Sequence, residues 1–212
     1  MSDLTKNKDK KPFLNTRVMV SCAMLAACSV ILTWLEIQIP FLVPNFIRLN
    51  IGDLPVLIGA FAYGPIAGIV IEFIRCLIGL FLNFTNPTSG VGELSNFILG
   101  CAFILPASII YRHKKTKKNA VIGIIIGSLF MAVISIPVNA LVILPLYAKI
   151  QGLPLEAFFA ELPGWLDFVD SVWKFCAFSL LPFNLIKALL ISCITMFIYK
   201  PLSILLKGIS NY

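Results

Sequence analysis

The sequence predicts an all-α integral membrane protein, a bundle of six transmembrane helices with both termini in the cytoplasm. Three observations carry this: composition, the lengths of the apolar runs, and the places where basic residues fall. Of 212 residues, 59% are hydrophobic and only 13% are charged, with a mean hydropathy of +0.95. A soluble domain carries about 25% charged residues to keep its surface in water. Soluble enzymes, nucleic-acid-binding modules and disordered chains are thereby excluded. The net charge of +7, from 17 Lys+Arg against 10 Asp+Glu, would by itself suggest nucleic acid. In so apolar a chain the position of the basic residues carries more information than their sum.

A helix needs about 20 residues to cross about 30 Å of hydrocarbon. The first apolar run is Val18 to about Leu35. It follows a basic stretch but runs into Thr33-Trp34-Leu35-Glu36 with no small-residue cleavage site, so it reads as a mature helix rather than a secretory signal. The next stretch, Ile51 to about Leu82, is too long for one ordinary span. Tyr63-Gly64-Pro65 is a turn signal that divides it into a short helix and a longer one. A fourth helix is expected from about Val91 to Tyr111, a fifth from about Ala120 to Leu146, and a sixth from about Val172 to Ile198 or slightly beyond. The chain divides into a basic cytoplasmic tail, residues 1–17, and one membrane domain, residues 18–206.

Charge placement tests the count independently. Lys6, Lys8, Lys10, Lys11 and Arg17 precede the first helix. Arg112, Lys114, Lys115, Lys117 and Lys118 lie between the fourth and fifth, and Lys200 and Lys207 follow the sixth. These clusters share one side only if an even number of spans separates them, and the positive-inside rule makes that side the cytoplasm. Reading 51–82 as a single span would leave three crossings before the basic loop. The outward segments are then Pro40–Asn50, Asn83–Gly90 and Lys149–Ser171, the last with room for a short surface helix. Asn83-Phe84-Thr85 fits a glycosylation sequon, a match too short to carry weight.

Polar side chains inside a span are costly, so each needs a partner or a ligand. On the fourth helix Glu93 and Asn96 are three apart and share a face. On the fifth, Asn139 stands between Pro137 and Pro145. On the sixth, Asn184 and Lys187 are again three apart, just after Pro182, which frees a backbone carbonyl and is expected to kink the helix. If these faces converge, Glu93, Asn96, Asn139, Asn184 and Lys187 form one polar cavity with apolar walls, as small-molecule pockets require. The plainer alternative makes the amides interhelical hydrogen bonds and pairs Lys187 with Glu93. Glu72 and Arg75, also three apart, are expected to form an intramembrane ion pair. Asp53 is placed as an N-cap of the second helix. His113 belongs to the basic loop and is expected to be solvated. Ala23 and Ala27 make a small-xxx-small ridge suited to close helix contact.

Other chemistry is not provided for. Cys22, Cys28, Cys76, Cys101, Cys176 and Cys193 are scattered through apolar segments without a CxxC pair, which favours buried thiols over disulfides or zinc. No ATP-binding loop, HExxH or GxSxG is present. An intramembrane enzyme using Glu93 or Glu72 as acid or base would lack a nucleophile, a metal set or a second convergent carboxylate pair. No catalytic residue, metal site or cofactor is therefore expected. A small bundle with an outward pocket and no engine points to a binding subunit that draws its power from a partner.

The residues also resemble a known family, the substrate-binding S components of energy-coupling factor (ECF) vitamin transporters, and among them the riboflavin-specific members. The resemblance covers about residues 15–205. It rests on Gly52-Asp53-Leu54-Pro55-Val56-Leu57-Ile58, on Phe61-Ala62-Tyr63-Gly64-Pro65-Ile66-Ala67-Gly68, and on Glu72-Phe73-Ile74-Arg75. Gly92-Glu93-Leu94-Ser95-Asn96-Phe97, Asn139 with Leu144-Pro145, and Leu181-Pro182-Phe183-Asn184-Leu185-Ile186-Lys187 complete it.

The resemblance implies a subunit of the bacterial plasma membrane that captures a vitamin from outside. Its partners would be a transmembrane coupling protein and two cytoplasmic ATPases, and the loaded subunit would topple in the membrane to release its cargo. By the same resemblance, Ala23 and Ala27 form the docking surface for the coupling protein. Asn139, Asn184 and Lys187 would hydrogen-bond the isoalloxazine heteroatoms, and the first outer loop, with Arg48 and Asn50, would cover the ligand. Riboflavin would then be cargo rather than cofactor. Residues 48–53 read Arg-Leu-Asn-Ile-Gly-Asp where riboflavin members usually read Lys-Ile-Asp-(Phe/Leu)-Ser-Asp, so an acid and a hydroxyl are missing near the lid. An S component for another vitamin, pyridoxine-like or otherwise heteroaromatic, is the second reading.

Overall fold

In a computed structural model the chain is described at residues 16–44, 47–82, 89–152, 154–160, 162, 164–166 and 168–209. Lys6, Lys8, Lys10, Lys11 and the Asn83-Phe84-Thr85 sequon lie outside that set. Six helices make the bundle: α1 (Thr16–Thr33), α2 (Asp53–Tyr63), α3 (Pro65–Leu82), α4 (Ser89–His113), α5 (Lys117–Gln151) and α6, which runs from Val172 past Ile198 to Ile209. Five of them are long and apolar enough to cross a membrane.

The exception is α2. Its 11 residues span about 16 Å at 1.5 Å each, roughly half the hydrocarbon thickness. Such an element is tolerated at membrane depth only where protein surrounds it. Asp53 through Leu57 and Gly59 through Phe61 are indeed buried. The approach to α2 supplies part of the missing length, with Leu42, Val43, Pro44, Leu49 and Asn50 buried in their turn. At its other end Gly64 adopts φ 101°, a conformation other residues rarely tolerate, and its N–H closes the helix on Ala60 O at 2.9 Å. The Tyr63-Gly64-Pro65 break therefore sits where the turn signal placed it.

α5 extends five residues past the expected Leu146 and closes at Gly152, which has φ 67°. Its path past Pro145 explains the length. The preceding residue, Leu144, donates its N–H to Asn139 O, five residues back, making the π turn Asn139–Ile143. α6 repeats the device: Leu181, before Pro182, donates to Cys176 O across the π turn Cys176–Leu180. A proline ring clashes with the carbonyl four residues earlier, and a widened turn relieves the clash without ending the helix. At Pro182, where the sequence leads one to expect a kink, α6 takes the widened turn Cys176–Leu180. Side-chain caps start both helices. Thr116 Oγ1 accepts from Asn119 N at 3.2 Å, and Ser171 Oγ accepts from Lys174 N at 3.3 Å.

Two apolar clusters hold the molecule together. One lies among the helices and is rich in small residues, including Ala26, Ala60, Ala67, Ala102, Ala107, Ala120 and Ala188. Gly123 and Gly127 let α5 approach α4 so closely that a Cβ at 123 would lie 2.6 Å from Ala107 O. The second cluster joins the long interhelical segments to the ends of α5 and α6: Leu42, Val43 and Leu49 pack with Phe158, Leu166, Phe175 and Phe183. The connection from α1 to α2 also forms a two-stranded antiparallel ribbon, β1 (Ile37–Gln38) with β2 (Arg48–Leu49). A short helix, Ala157–Ala160, lies between α5 and α6, as expected. Ser179 Oγ donates to Leu42 O and ties the ribbon segment to α6.

Candidate functional site

A cavity of about 670 Å³ lies between the two clusters, bounded by α4, α5, α6 and the ribbon. That is within the range of small-molecule sites. Its wall brings together the five residues singled out above: Glu93 and Asn96 of α4, Asn139 of α5, and Asn184 and Lys187 of α6. Arg48 and Asn50 also line it, so the ribbon lies against the same space. Leu99, Ile143, Leu144, Leu180 and Phe183 supply apolar surface.

Local structure positions each group. Asn139 opens the π turn of α5, and its Nδ2 donates to Ser135 O at 2.7 Å, which orients the amide and leaves Oδ1 available as an acceptor. Asn184 and Lys187 follow the π turn of α6 and remain 6% and 8% exposed, so both are committed to the interior. Glu93 packs over Gly79 of α3, where a Cβ would lie 2.6 Å from Oε1. Asn50 Oδ1 accepts from Gly52 N at 3.2 Å, so an amide here performs the local turn role open to an acid while adding no charge. At the rim, Arg48 Nη1 and Glu36 Oε2 form an ion pair at 2.9 Å.

Two expectations are corrected. Asp53 caps nothing: Gly52 takes the N-cap position of α2 without a side-chain cap bond. The Asp53 carboxylate, 1% exposed, instead meets Arg75 Nη1 at 3.0 Å and Lys187 Nζ at 2.8 Å. Nor does Lys187 pair with Glu93, since its partner is Asp53. The reason is desolvation. Two buried cations need counter-ions, and a carboxylate spent on backbone N–H groups would leave them uncompensated. The expected Glu72–Arg75 pair is present, Oε1 to Nη2, within this larger cluster.

Other residues were missed along the cavity wall. Tyr147 and Gln151 line it together with Ile143, at spacings of four that continue the Asn139 face. A helix stopped at Leu146 hides them, and extending the face past Pro145 would have found them. Ser95 and Glu36 also contribute. Ala23 and Ala27 are elsewhere, on the exposed side of α1 with Met19, Val20 and Met24, while Ala26 faces inward. His113, expected in the basic loop, is the last residue of α4 and is exposed.

Comparison with known proteins agrees with this architecture. The family described as ECF transporter, substrate-specific component, matches residues 17–199. The chain is 31% identical over 191 residues to the riboflavin transporter RibU of Staphylococcus aureus (strain TCH60), covering 90% of this chain and 93% of that protein. It is 27% identical over 186 residues to the riboflavin transporter FmnP of Bacillus subtilis (strain 168), covering 88% and 92%. A solved structure described as "Structure and mechanism of the S component of a bacterial ECF transporter" superposes with a TM-score of 0.71 at 29% identity, over 90% of this chain and 98% of that one. The chain therefore belongs to the ECF transporter substrate-specific component family, as a multi-pass integral membrane protein.

Proposed function

We propose that the chain captures riboflavin from outside the cell for import powered by partner ATPases. The observation that carries this reading is one cavity that gathers Asn139, Asn184, Lys187, Glu93 and Asn96 with an apolar wall. A flavin presents an apolar xylene end, a heteroatom-rich pyrimidine edge and a hydroxylated tail. Leu144, Leu180 and Phe183 suit the first. The two amides and the ammonium offer donors and acceptors in the alternation the second requires. Glu93, Ser95 and Asn96 form a hydroxyl-binding face for the third. That relatives over nine-tenths of this chain are named riboflavin transporters supports the same choice.

The transport role follows from the family and from the charge pattern. Basic residues at 112–118 and at both ends put those segments in the cytoplasm under the positive-inside rule, which opens the ribbon side of the cavity outward. Having no ATP-binding loop of its own, the chain takes its energy from a coupling protein and two ATPases. The exposed Ala23 and Ala27 ridge of α1 serves as the docking surface.

The decisive experiment is an absorbance spectrum of detergent-purified protein, then fluorescence titration of ligand-stripped protein with riboflavin. A bound flavin band or saturable quenching at submicromolar ligand is the expected result. Absence of both would overturn riboflavin as cargo. The double variant Ala23→Trp, Ala27→Trp should retain that binding and lose uptake in cells, and retained uptake would sink the docking assignment.

A further inference from the structure

Beside the cavity, and outside its wall, lies a buried charge cluster that ordinary helix packing does not require. Asp53, Glu72 and Arg75 are 1%, 0% and 2% exposed. Arg75 joins the two acids, Nη1 at 3.0 Å from Asp53 Oδ1 and Nη2 on Glu72 Oε1. Asp53 Oδ2 then meets Lys187 Nζ at 2.8 Å. Of these four residues only Lys187 reaches the cavity wall. Two acids and two cations cancel, so the cluster presents to the cavity an ammonium whose charge is already compensated.

We propose that Asp53 is a positioning residue for ligand binding. It holds the Lys187 ammonium at the cavity wall, and Arg75 holds Asp53. A lysine stem is long and flexible, and an unpaired ammonium at this depth would turn toward water or another acid. Of its three N–H donors, one is committed to Asp53 and the others are left for a ligand. The arrangement selects the chemistry of the acceptor. An uncharged carbonyl or ring nitrogen completes a neutral cluster, whereas an anionic group would leave a net negative charge buried beside Glu93.

The local sequence is fitted to this role. Asp53 is the first residue of α2, so its side chain leaves the helix end toward α3 and α6 rather than along a helix face. A Cβ at Gly52 would lie 2.6 Å from Arg75 Nη1, so the glycine is what admits the guanidinium. Thr33 Oγ1 at the end of α1 accepts from Arg75 Nη1 at 3.4 Å and fixes it from the other side.

The inference rests on the reading of the cavity as a riboflavin site, and the test separates the two. In the full-length protein in detergent, Asp53→Asn is expected to weaken riboflavin binding by about 30-fold or more, and Asp53→Glu to restore most of the loss. In a Lys187→Met background, Asp53→Asn is expected to change affinity less than about threefold, because the group it positions is gone. A ligand-free readout accompanies this: acetic anhydride should label Lys187 several-fold faster in Asp53→Asn than in the unmodified protein. Equal losses in both backgrounds, or an unchanged labelling rate, would overturn the proposal and leave Asp53 a role in the fold alone. Should Asp53→Asn not fold, Asp53→Ser is labelled in its place, and a rate equal to that of the unmodified protein overturns the proposal. If the unmodified protein does not bind riboflavin, the cargo reading fails, and the labelling comparison still decides the role of Asp53.

Discussion

The two ends of the bundle are packed by opposite means. Toward the basic loop, small residues let helix backbones approach: Gly123 and Gly127 lie against the backbone of α4, and Ala60 against Gly68. Phe61 and Tyr111 fill the remaining space with ring centroids 4.5 Å apart. Toward the ribbon, two helices widen into π turns, and chain segments pack against their ends. Large side chains dominate there, as in the edge-on contact of Tyr147 with Phe158 at 5.5 Å. Between α4 and α5 close backbone contact leaves no room for a ligand, whereas the π turns and inserted segments provide both room and polar groups. The first end thus acts as a scaffold, and the cavity lies where regular packing is given up.

Substitutions should separate the two. The largest effect is expected at the junction, where Arg75→Met would leave Glu72 and Asp53 buried with Lys187 as the one remaining cation of the cluster. Loss of about 3–5 kcal/mol is expected, read as failure to purify folded protein or as a much lower melting temperature. A variant of normal stability would mean the cluster is not closed as described. In the scaffold, Gly123→Val forces a Cβ toward Ala107 O and should cost about 1–3 kcal/mol. Its riboflavin affinity, measured below the melting transition, should be unchanged. A large affinity loss there would break the division of labour.

In the cavity, Asn184→Ala should do the reverse, weakening riboflavin by about 1–3 kcal/mol with little change in ligand-free melting. The smallest effect belongs to the segment between α5 and α6. Lys174 hydrogen-bonds Asp170 at 2.8 Å and holds its carboxyl below the usual aspartate range. A group whose value is lowered by folding adds stability above its unfolded value and loses it as pH falls through the lowered one. With the side chains 44% and 70% exposed, water screens the pair. Asp170→Asn should therefore leave both melting and affinity unchanged at neutral pH and on acidification. A measurable loss would place that segment among the parts that hold the cavity closed.

Much of this was legible in the chain before any coordinates. Apolar run lengths found the six helices of the bundle, Gly64 and Pro65 divided α2 from α3, and the basic loop required an even count before it. The five polar residues of the membrane helices stood out because each is expensive in hydrocarbon and repeats at helical spacing. The ribbon was not legible, since strands of two residues carry no periodicity. The end of α5 was lost at Pro145, which reads as a stop unless a π turn absorbs it.

Hydropathy, helical period and the cost of burying a polar group are local properties. The residues alone therefore decide how many helices form, which run too long for one span, and which side chains must find partners. Partner choice is not local. Asp53, Arg75 and Lys187 are separated by 22 and 112 residues in the chain, and only the packing of α2 between α3 and α6 makes them one cluster. The sequence shows that Lys187 needs a carboxylate and offers Glu93, on another membrane helix, as one alternative. The tertiary structure supplies Asp53, because a buried charge is compensated by whatever the fold brings within a few ångströms.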